Sequence, residues 1–321
     1  MALTSEHTVW FESTFRKLVE NVERAVVGKR HVVELAVTAM ISEGHLLLED
    51  VPGTGKTSLA RALAETVRGT SSRLQFTPDL LPGDVTGISV FDQARGVFEF
   101  HHGPVFANVV LADEVNRASP KTQSALLEVM EERQVTVDGV TRSVEAPFMV
   151  VATQNPIEQA GTYSLPEAQL DRFLMRTSLG YPDHASAMRI LDPARATRVE
   201  VPAIAELDAI RTMTSLTHEV EQHALISDYI LRLVDATRSA TQVRLGASVR
   251  GALALARACR TWALAHGRAY VLPDDVKSLA EVVLAHRLIL DPEAEFDGVT
   301  QGAVIGQVLL DVPPPSPRDL T

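Results

Sequence analysis

Apolar positions recur at helical spacing early in the chain. Residues 15–42 read as helix, interrupted near Val27-Gly28-Lys29, with Val32, Val33, Leu35, Ala36, Ala39 and Met40 in the second part. The pattern then changes. Leu46-Leu47-Leu48-Glu49 is a short apolar run ending in a glycine-rich loop, as a strand buried on both faces of a parallel sheet requires. Leu59, Ala62, Leu63 and Val67 return to helical spacing, and a second strand is predicted near Arg73–Thr77. Ile88–Asp92 and Val97–His101, separated by Gln93-Ala94-Arg95-Gly96, predict a β-hairpin. Val109-Val110-Leu111-Ala112 is a third apolar strand. Ser119-Pro120 supplies a cap and a first-turn proline for a helix running to about Arg133. Val135–Val137 and Val140–Val144 flank Asp138-Gly139, a strong hairpin signal, and Phe148–Ala152 is a fourth apolar strand.

Tyr181-Pro182-Asp183 closes this section, and helical spacing prevails beyond it. Helices are predicted over about 184–191, 204–213, 223–238, 248–266 and 273–290, the last opened by Pro273-Asp274-Asp275. Pro313-Pro314-Pro315-Ser316-Pro317 suits neither helix nor central strand. The expected fold is an α/β domain over 1–182 with a parallel sheet and two hairpins, an all-helical domain over 183–312, and a proline-rich tail over 313–321.

Composition narrows the function classes. The chain has 321 residues, 45% apolar and 22% charged, enough for sizeable cores. A net charge of −11 disfavours nucleic acid as a partner and means that any polyanion site must be built locally. The single cysteine, Cys259, lies in an apolar helical pattern and reads as a buried structural thiol. No secretory leader and no apolar run long enough to span a membrane are visible. A reduced cytoplasmic location without membrane insertion is therefore expected.

The chemistry concentrates in a few segments. Pro52-Gly53-Thr54-Gly55-Lys56-Thr57-Ser58 follows a predicted strand and opens a predicted helix. That is the context of a phosphate-binding loop, although Asp50 stands where the pattern has its first glycine. Glycines let successive N–H groups turn toward phosphate oxygens, and the helix N-terminus adds partial positive charge. Lys56 is placed to bridge the β- and γ-phosphates, and the Thr57 hydroxyl to ligate Mg²⁺. Asp113-Glu114 ends a predicted parallel strand, where ligands of such sheets bind. Asp113 suits Mg²⁺ held through water, and Glu114 suits activation of the attacking water. Thr153-Gln154-Asn155 ends another strand, and the Asn155 amide can contact the γ-phosphate or the lytic water. Arg172, in Leu170-Asp171-Arg172-Phe173, suits a planar cation presented to phosphate in a neighbouring subunit, with Arg117 and Arg176 as competitors. Arg250 falls in a first helical turn after the cap Ser248. A cation there opposes the helix dipole, and an anionic γ-phosphate would offset this.

As a set these segments resemble the MoxR family of AAA+ ATPases, from about Val27 to Leu288. The segments that carry the resemblance are Leu48–Thr57, Ala112–Ala118, Ala152–Pro156, Leu165–Phe173, and Gly267-Arg268 with Pro273-Asp274-Asp275-Val276. The resemblance implies a Walker A motif at Gly53–Thr57 and a Walker B motif at Asp113-Glu114. It implies sensor 1 at Asn155, an arginine finger at Arg172 and sensor 2 at Arg250, with Val27-Gly28 on the adenine side. The hairpins at 88–101 and 135–145 look like the helix-2 and pre-sensor-1 inserts. Val249 departs from the proline that usually precedes the sensor-2 arginine. The implied cofactors are ATP and Mg²⁺. The implied assembly is a homo-oligomeric, usually hexameric, ring acting as a chaperone, often with a von Willebrand factor A domain protein and a client.

Three functional readings follow. The first is an ATP-hydrolysing remodelling machine whose site is completed between subunits. The second is a nucleotide-gated scaffold with little turnover, which the intact Glu114 disfavours. The third is a DNA-dependent motor, which the net charge disfavours.

Overall fold

The computed structural model describes residues 3–50, 53–154, 163, 165–191 and 200–316. The chain opens with two helices, α1 (Ser5–Glu23) and α2 (Arg30–Ile41), separated by the expected break at 27–29. Most of α2 is buried, so it carries apolar residues nearly all round. Then come strand β1 (Leu46–Glu49), helix α3 (Lys56–Thr66), strand β2 (Ser71–Gln75), a short helix α4 (Pro82–Thr86), and the hairpin β3 (Gly87–Asp92) with β4 (Val97–His102). Strand β5 (Val109–Asp113), helix α5 (Pro120–Glu132), the hairpin β6 (Gln134–Val137) with β7 (Val140–Ser143), and strand β8 (Met149–Gln154) follow. Helix α6 (Glu167–Leu170) and strand β9 (Met175–Thr177) complete this part.

The main sheet has the order β2-β5-β8-β1-β9. The pairs β2/β5, β5/β8 and β1/β8 are all parallel. Every residue of β5 is buried, and so are the first five of β8. These are the uninterrupted apolar runs of the sequence, and burial on both faces is why they do not alternate. Register decides what lies at the carboxyl edge. Gln75 pairs with Asp113, Ala112 with Ala152, and Glu49 with Gln154. Both hairpins are antiparallel and form two-stranded sheets of their own. Ser119 caps α5, its hydroxyl accepting from Thr122 N at 3.4 Å, with Pro120 at the first turn as expected.

Beyond β9 the elements are α7 (His184–Leu191), α8 (Leu207–Thr217), α9 (Ala224–Ser239), strand β10 (Val243–Leu245), α10 (Val249–Ala265), α11 (Pro273–Leu284), strand β11 (Ile289–Leu290), α12 (Pro292–Phe296) and α13 (Gln301–Asp311). Two expectations need correction. The last predicted helix, 273–290, stops at Leu284 and gives way to a tight turn over Ala285–Arg287. The chain then pairs antiparallel with β10, so this part contains a small ladder as well as helices. Val283, Leu284, Ala285, Leu288 and Leu290 are all buried, so the apolar pattern ran on past the end of the helix.

Contacts divide the chain into two compact units that alternate along it. One comprises 17–165 and 177–211, and the other 1–16, 166–176 and 212–321. In the second unit, Gly267 ends α10 with φ +70°, a conformation that favours glycine. Arg268 then pairs through two nitrogens with Asp275, at 2.7 and 2.6 Å. Asp275 is only 3% exposed and also accepts from Leu272 N at the start of α11. This is a physical reason for the Gly267-Arg268…Asp275 pattern: one carboxylate caps α11 and holds the α10–α11 turn. Cys259 is fully buried and its thiol is pushed well up by desolvation, as a structural thiol should be.

Candidate functional site

The glycine-rich loop leaves β1 and enters α3. Gly53 and Gly55 have φ of +86° and +99°, and no atom lies within 4 Å of where their Cβ atoms would be. Glycine is needed here for its backbone freedom, not to avoid a clash. Lys56 is the first residue of α3, and its Nζ donates to the Asp50 carbonyl at 3.1 Å. Thr54 is buried, Lys56 and Ser58 are half-buried and Thr57 is exposed. Gly53, Gly55, Lys56 and Thr57 all line one cleft at the N-terminus of α3.

Asp50 itself is 5% exposed. Its carboxyl oxygens accept from Leu179 N at 2.5 Å and Gly180 N at 2.8 Å, just after β9. The residue that departs from the phosphate-loop pattern therefore ties the start of the loop to the segment leaving the edge of the sheet.

Asp113 and Glu114 stand at the end of β5, next to the loop. Thr153, at the end of β8, links them: its hydroxyl donates to Asp113 Oδ1 at 2.7 Å and accepts from Glu114 N at 2.9 Å. Glu114 has φ +56°, a left-handed conformation that costs about 1–2 kcal/mol in a non-glycine residue. Its side chain turns from the β5 direction toward β2, where Oε2 accepts from Gln75 Nε2 at 2.7 Å. The same oxygen accepts from Arg117 Nη1 at 2.9 Å. Asp113 Oδ2 meets Arg73 Nη2 at 2.8 Å. Both carboxylates are thus held by neighbours from β2 and the turn after β5, with both contacts of Glu114 falling on Oε2.

A cleft of about 410 Å³ collects these groups: Asp50, Gly53, Gly55, Lys56, Thr57, Arg73, Gln75, Asp113, Glu114 and Thr153. Its size lies within the range of small-molecule sites. Left-handed glycines, a helix N-terminus and Lys56 fit phosphates. The Thr57 hydroxyl and the Asp113 carboxylate fit a hard divalent cation that keeps most of its waters. Triphosphate with Mg²⁺ therefore fits the donor set.

Val27 and Gly28 lie in the break between α1 and α2. A Cβ at Gly28 would come within 2.1 Å of the Ser186 hydroxyl of α7, so glycine allows that close approach. Pro52 and Asn155 lie outside the described residues. Arg172 and Arg250 belong to the second compact unit, with Arg172 half-buried and Arg250 exposed. Ser248 caps α10, its hydroxyl accepting from Gly251 N at 3.4 Å, so Val249 in place of proline leaves the helix start intact. Among the described residues no helix is long and apolar enough to cross a membrane. Nor do the described residues contain a group of three or more His, Cys, Asp or Glu side chains able to hold a metal ion by themselves.

Sequence reasoning missed Arg73 and Gln75, the linking role of Thr153 and the anchoring role of Asp50. Gln75 ends β2 opposite Asp113, and Arg73 lies two residues before it. Counting register from Gln75 opposite Asp113 is the signal that finds them.

Comparisons with known proteins identify the family. A family described as "ATPase family associated with various cellular activities (AAA)" matches residues 45–175, and an AAA lid domain matches residues 235–308. The chain is 43% identical to Chaperone MoxR1 of Mycobacterium tuberculosis, over 93% of this chain and 82% of that protein. It is 31% identical to Protein MoxR of Methylorubrum extorquens, over 90% of this chain and 91% of that one. The uncharacterised Bacillus subtilis protein YeaC is 47% identical over 94% of this chain and 95% of its own length. A crystal structure of a candidate ATPase from Cytophaga hutchinsonii superposes with a TM-score of 0.90 at 38% identity, covering 97% of this chain and 98% of that one.

Proposed function

The chain belongs to the MoxR family of AAA+ ATPases, and from that premise we propose that it hydrolyses ATP to drive the remodelling or maturation of a partner protein complex. The observation that carries the reading is the single cleft that gathers Gly53, Gly55, Lys56, Thr57, Asp113 and Glu114. Backbone N–H groups of the loop, the α3 N-terminus and Lys56 hold the phosphates. Thr57 and Asp113 would hold Mg²⁺, which supplies charge neutralisation on the phosphate oxygens. Glu114, held through Oε2 by Gln75 and Arg117, orients and deprotonates water. Asn155 and Arg250 are assigned the γ-phosphate contacts expected of them, and Val27 and Gly28 the adenine side.

Arg172 acts in trans in this reading, completing the site of the next subunit in a homo-oligomeric, hexameric ring in the cytoplasm. The partners are a client complex and a von Willebrand factor A domain protein. The two hairpins transmit the motion. Support for a contact role of the first hairpin comes from Ile88, Phe91 and Phe98, which are 52, 50 and 73% exposed. The name of the mycobacterial relative, a chaperone, supports the general kind of activity.

The test is steady-state ATP turnover against protein concentration, with Glu114→Gln beside the parent. The reading expects turnover per subunit to rise with assembly. It also expects Glu114→Gln to retain nucleotide while losing roughly 100-fold or more in kcat. Flat turnover down to demonstrably monomeric protein would remove the trans site. Unchanged client activity in Glu114→Gln would favour the nucleotide-gated scaffold instead.

A further inference from the structure

We propose that Arg287 is a positioning residue for the trans finger: it fixes the backbone on both sides of Arg172 and references it to the helix that carries Arg250. The proposal rests on the reading of Arg172 given above.

Arg172 sits in a short connection. The four-residue helix α6 ends at Leu170 and β9 begins at Met175. Such a segment has carbonyls that no ladder satisfies, and a buried carbonyl needs a donor. Arg287 supplies them. Its side chain is 3% exposed. Nη2 donates to the Asp171 carbonyl at 3.1 Å and to the Phe173 carbonyl at 2.8 Å, which bracket Arg172. Nε donates to Asp171 Oδ1 at 2.7 Å, and Nη1 to the Leu174 carbonyl at 3.5 Å and to the Val283 carbonyl. Four of these five contacts fall on Asp171–Leu174. A guanidinium offers its donors in one rigid plane, so the contacts fix the relative positions of the acceptors.

The same side chain meets α10. A Cβ on Gly251, the neighbour of Arg250, would stand 3.0 Å from Arg287 Cδ and 3.5 Å from Nε. Any larger residue at 251 would crowd the guanidinium stem, so glycine there makes room for Arg287. Asp171 closes the connection. While Oδ1 takes Arg287, Oδ2 lies 3.4 Å from the hydroxyl of Ser248, the cap of α10. Arg287 reaches this place because α11 stops at Leu284 and turns through 285–287. His286 lies beside it, its Nε2 2.7 Å from Arg287 Nη1 and 3.1 Å from the Phe173 carbonyl. A displacement of α10 therefore moves the backbone that presents Arg172.

The experiment compares Arg287→Lys with the parent. Lysine keeps a charge for Asp171 but cannot span three carbonyls. We expect kcat to fall about tenfold or more with KM for ATP within about twofold, the pattern of an interaction realised only in the transition state. Arg287→Lys protein, whose Glu114 is intact, is then mixed with equal Glu114→Gln protein, whose finger is intact. Turnover should rise several-fold over that of the two separate proteins, because correctly held fingers now reach sites that retain their base. Asp171→Asn, which alters the same connection without removing the arginine, should show the same loss and the same rescue. It carries the test if Arg287→Lys does not fold.

Parent-like kcat in both variants overturns the proposal. So does a loss that mixing does not repair, since a merely structural or cis role gives that result. Arg172→Ala mixed with Glu114→Gln is the control. Failure of rescue there removes the trans reading itself, whereas rescue there without rescue of Arg287→Lys removes only the role of Arg287.

Discussion

Asp50 is where the sequence departs from the glycine-rich pattern, and the structure gives the departure a task. With its carboxyl oxygens on Leu179 N and Gly180 N, it is an anchor. Asp50→Gly brings the loop closer to the general motif, yet it removes both hydrogen bonds and loosens the backbone. The expected cost is roughly 2–4 kcal/mol of stability, read as a fall of several degrees in thermal melting without nucleotide. Asp50→Asn, which keeps one acceptor oxygen, should fall between the two. The placement of the glycine-rich loop before α3 and of Asp113-Glu114 at the end of β5 was legible, because particular residue types at fixed distances from a strand end mark both. Arg73, Gln75 and Asp50 were not, because what marks them is their position against another strand. A glutamine ending a strand carries no signal until register sets it opposite Asp113.

Elements were legible where apolar spacing and turn chemistry agreed. The hairpin over 134–143 was marked by Asp138-Gly139, both at positive φ, and α5 by Ser119-Pro120. They were illegible where a few residues of strand continue a helical pattern, as with β10 and β11. The end of α11 is the informative case, because the turn after it buries His286 and Arg287. Desolvation, and then the neighbouring guanidinium, hold the His286 imidazole well below its ordinary value of 6.5. Folded protein therefore keeps the ring neutral where unfolded chain would protonate it. The stability contribution is present above about pH 6.5 and is lost as pH falls below it, with a slope of at most ~1.4 kcal/mol per pH unit. Denaturant titrations between pH 5 and 7.5 should show this slope, and His286→Gln should reduce it. Asp275→Ala tests the other turn. It strands Arg268 and uncaps α11, so a loss of about 3 kcal/mol or more is expected in the same titrations.

In the proposed ring, three arginines compete for the trans role, and one of them differs from the others in its contacts. Arg117 donates to Glu114 of its own chain at 2.9 Å, three residues away. In the reading proposed above it is therefore assigned a place beside the base of its own subunit. Arg172 and Arg176 flank the Phe173-Leu174-Met175 core segment, and both lie in the compact unit that does not contain the phosphate loop. Mixing separates the cases without knowledge of the client. In a randomly mixed ring, a site works when its own subunit retains Glu114 and its neighbour retains the finger. Equal Arg172→Ala and Glu114→Gln proteins meet that condition at about a quarter of all sites. Recovered turnover near that fraction of the parent is expected for Arg172→Ala, and none for Arg117→Ala, whose defect stays in the subunit that holds the base. If Arg176→Ala is the variant that recovers while Arg172→Ala keeps full activity alone, the finger assignment moves to Arg176. Recovery by Arg117→Ala would mean that its contact with Glu114 is not what catalysis uses.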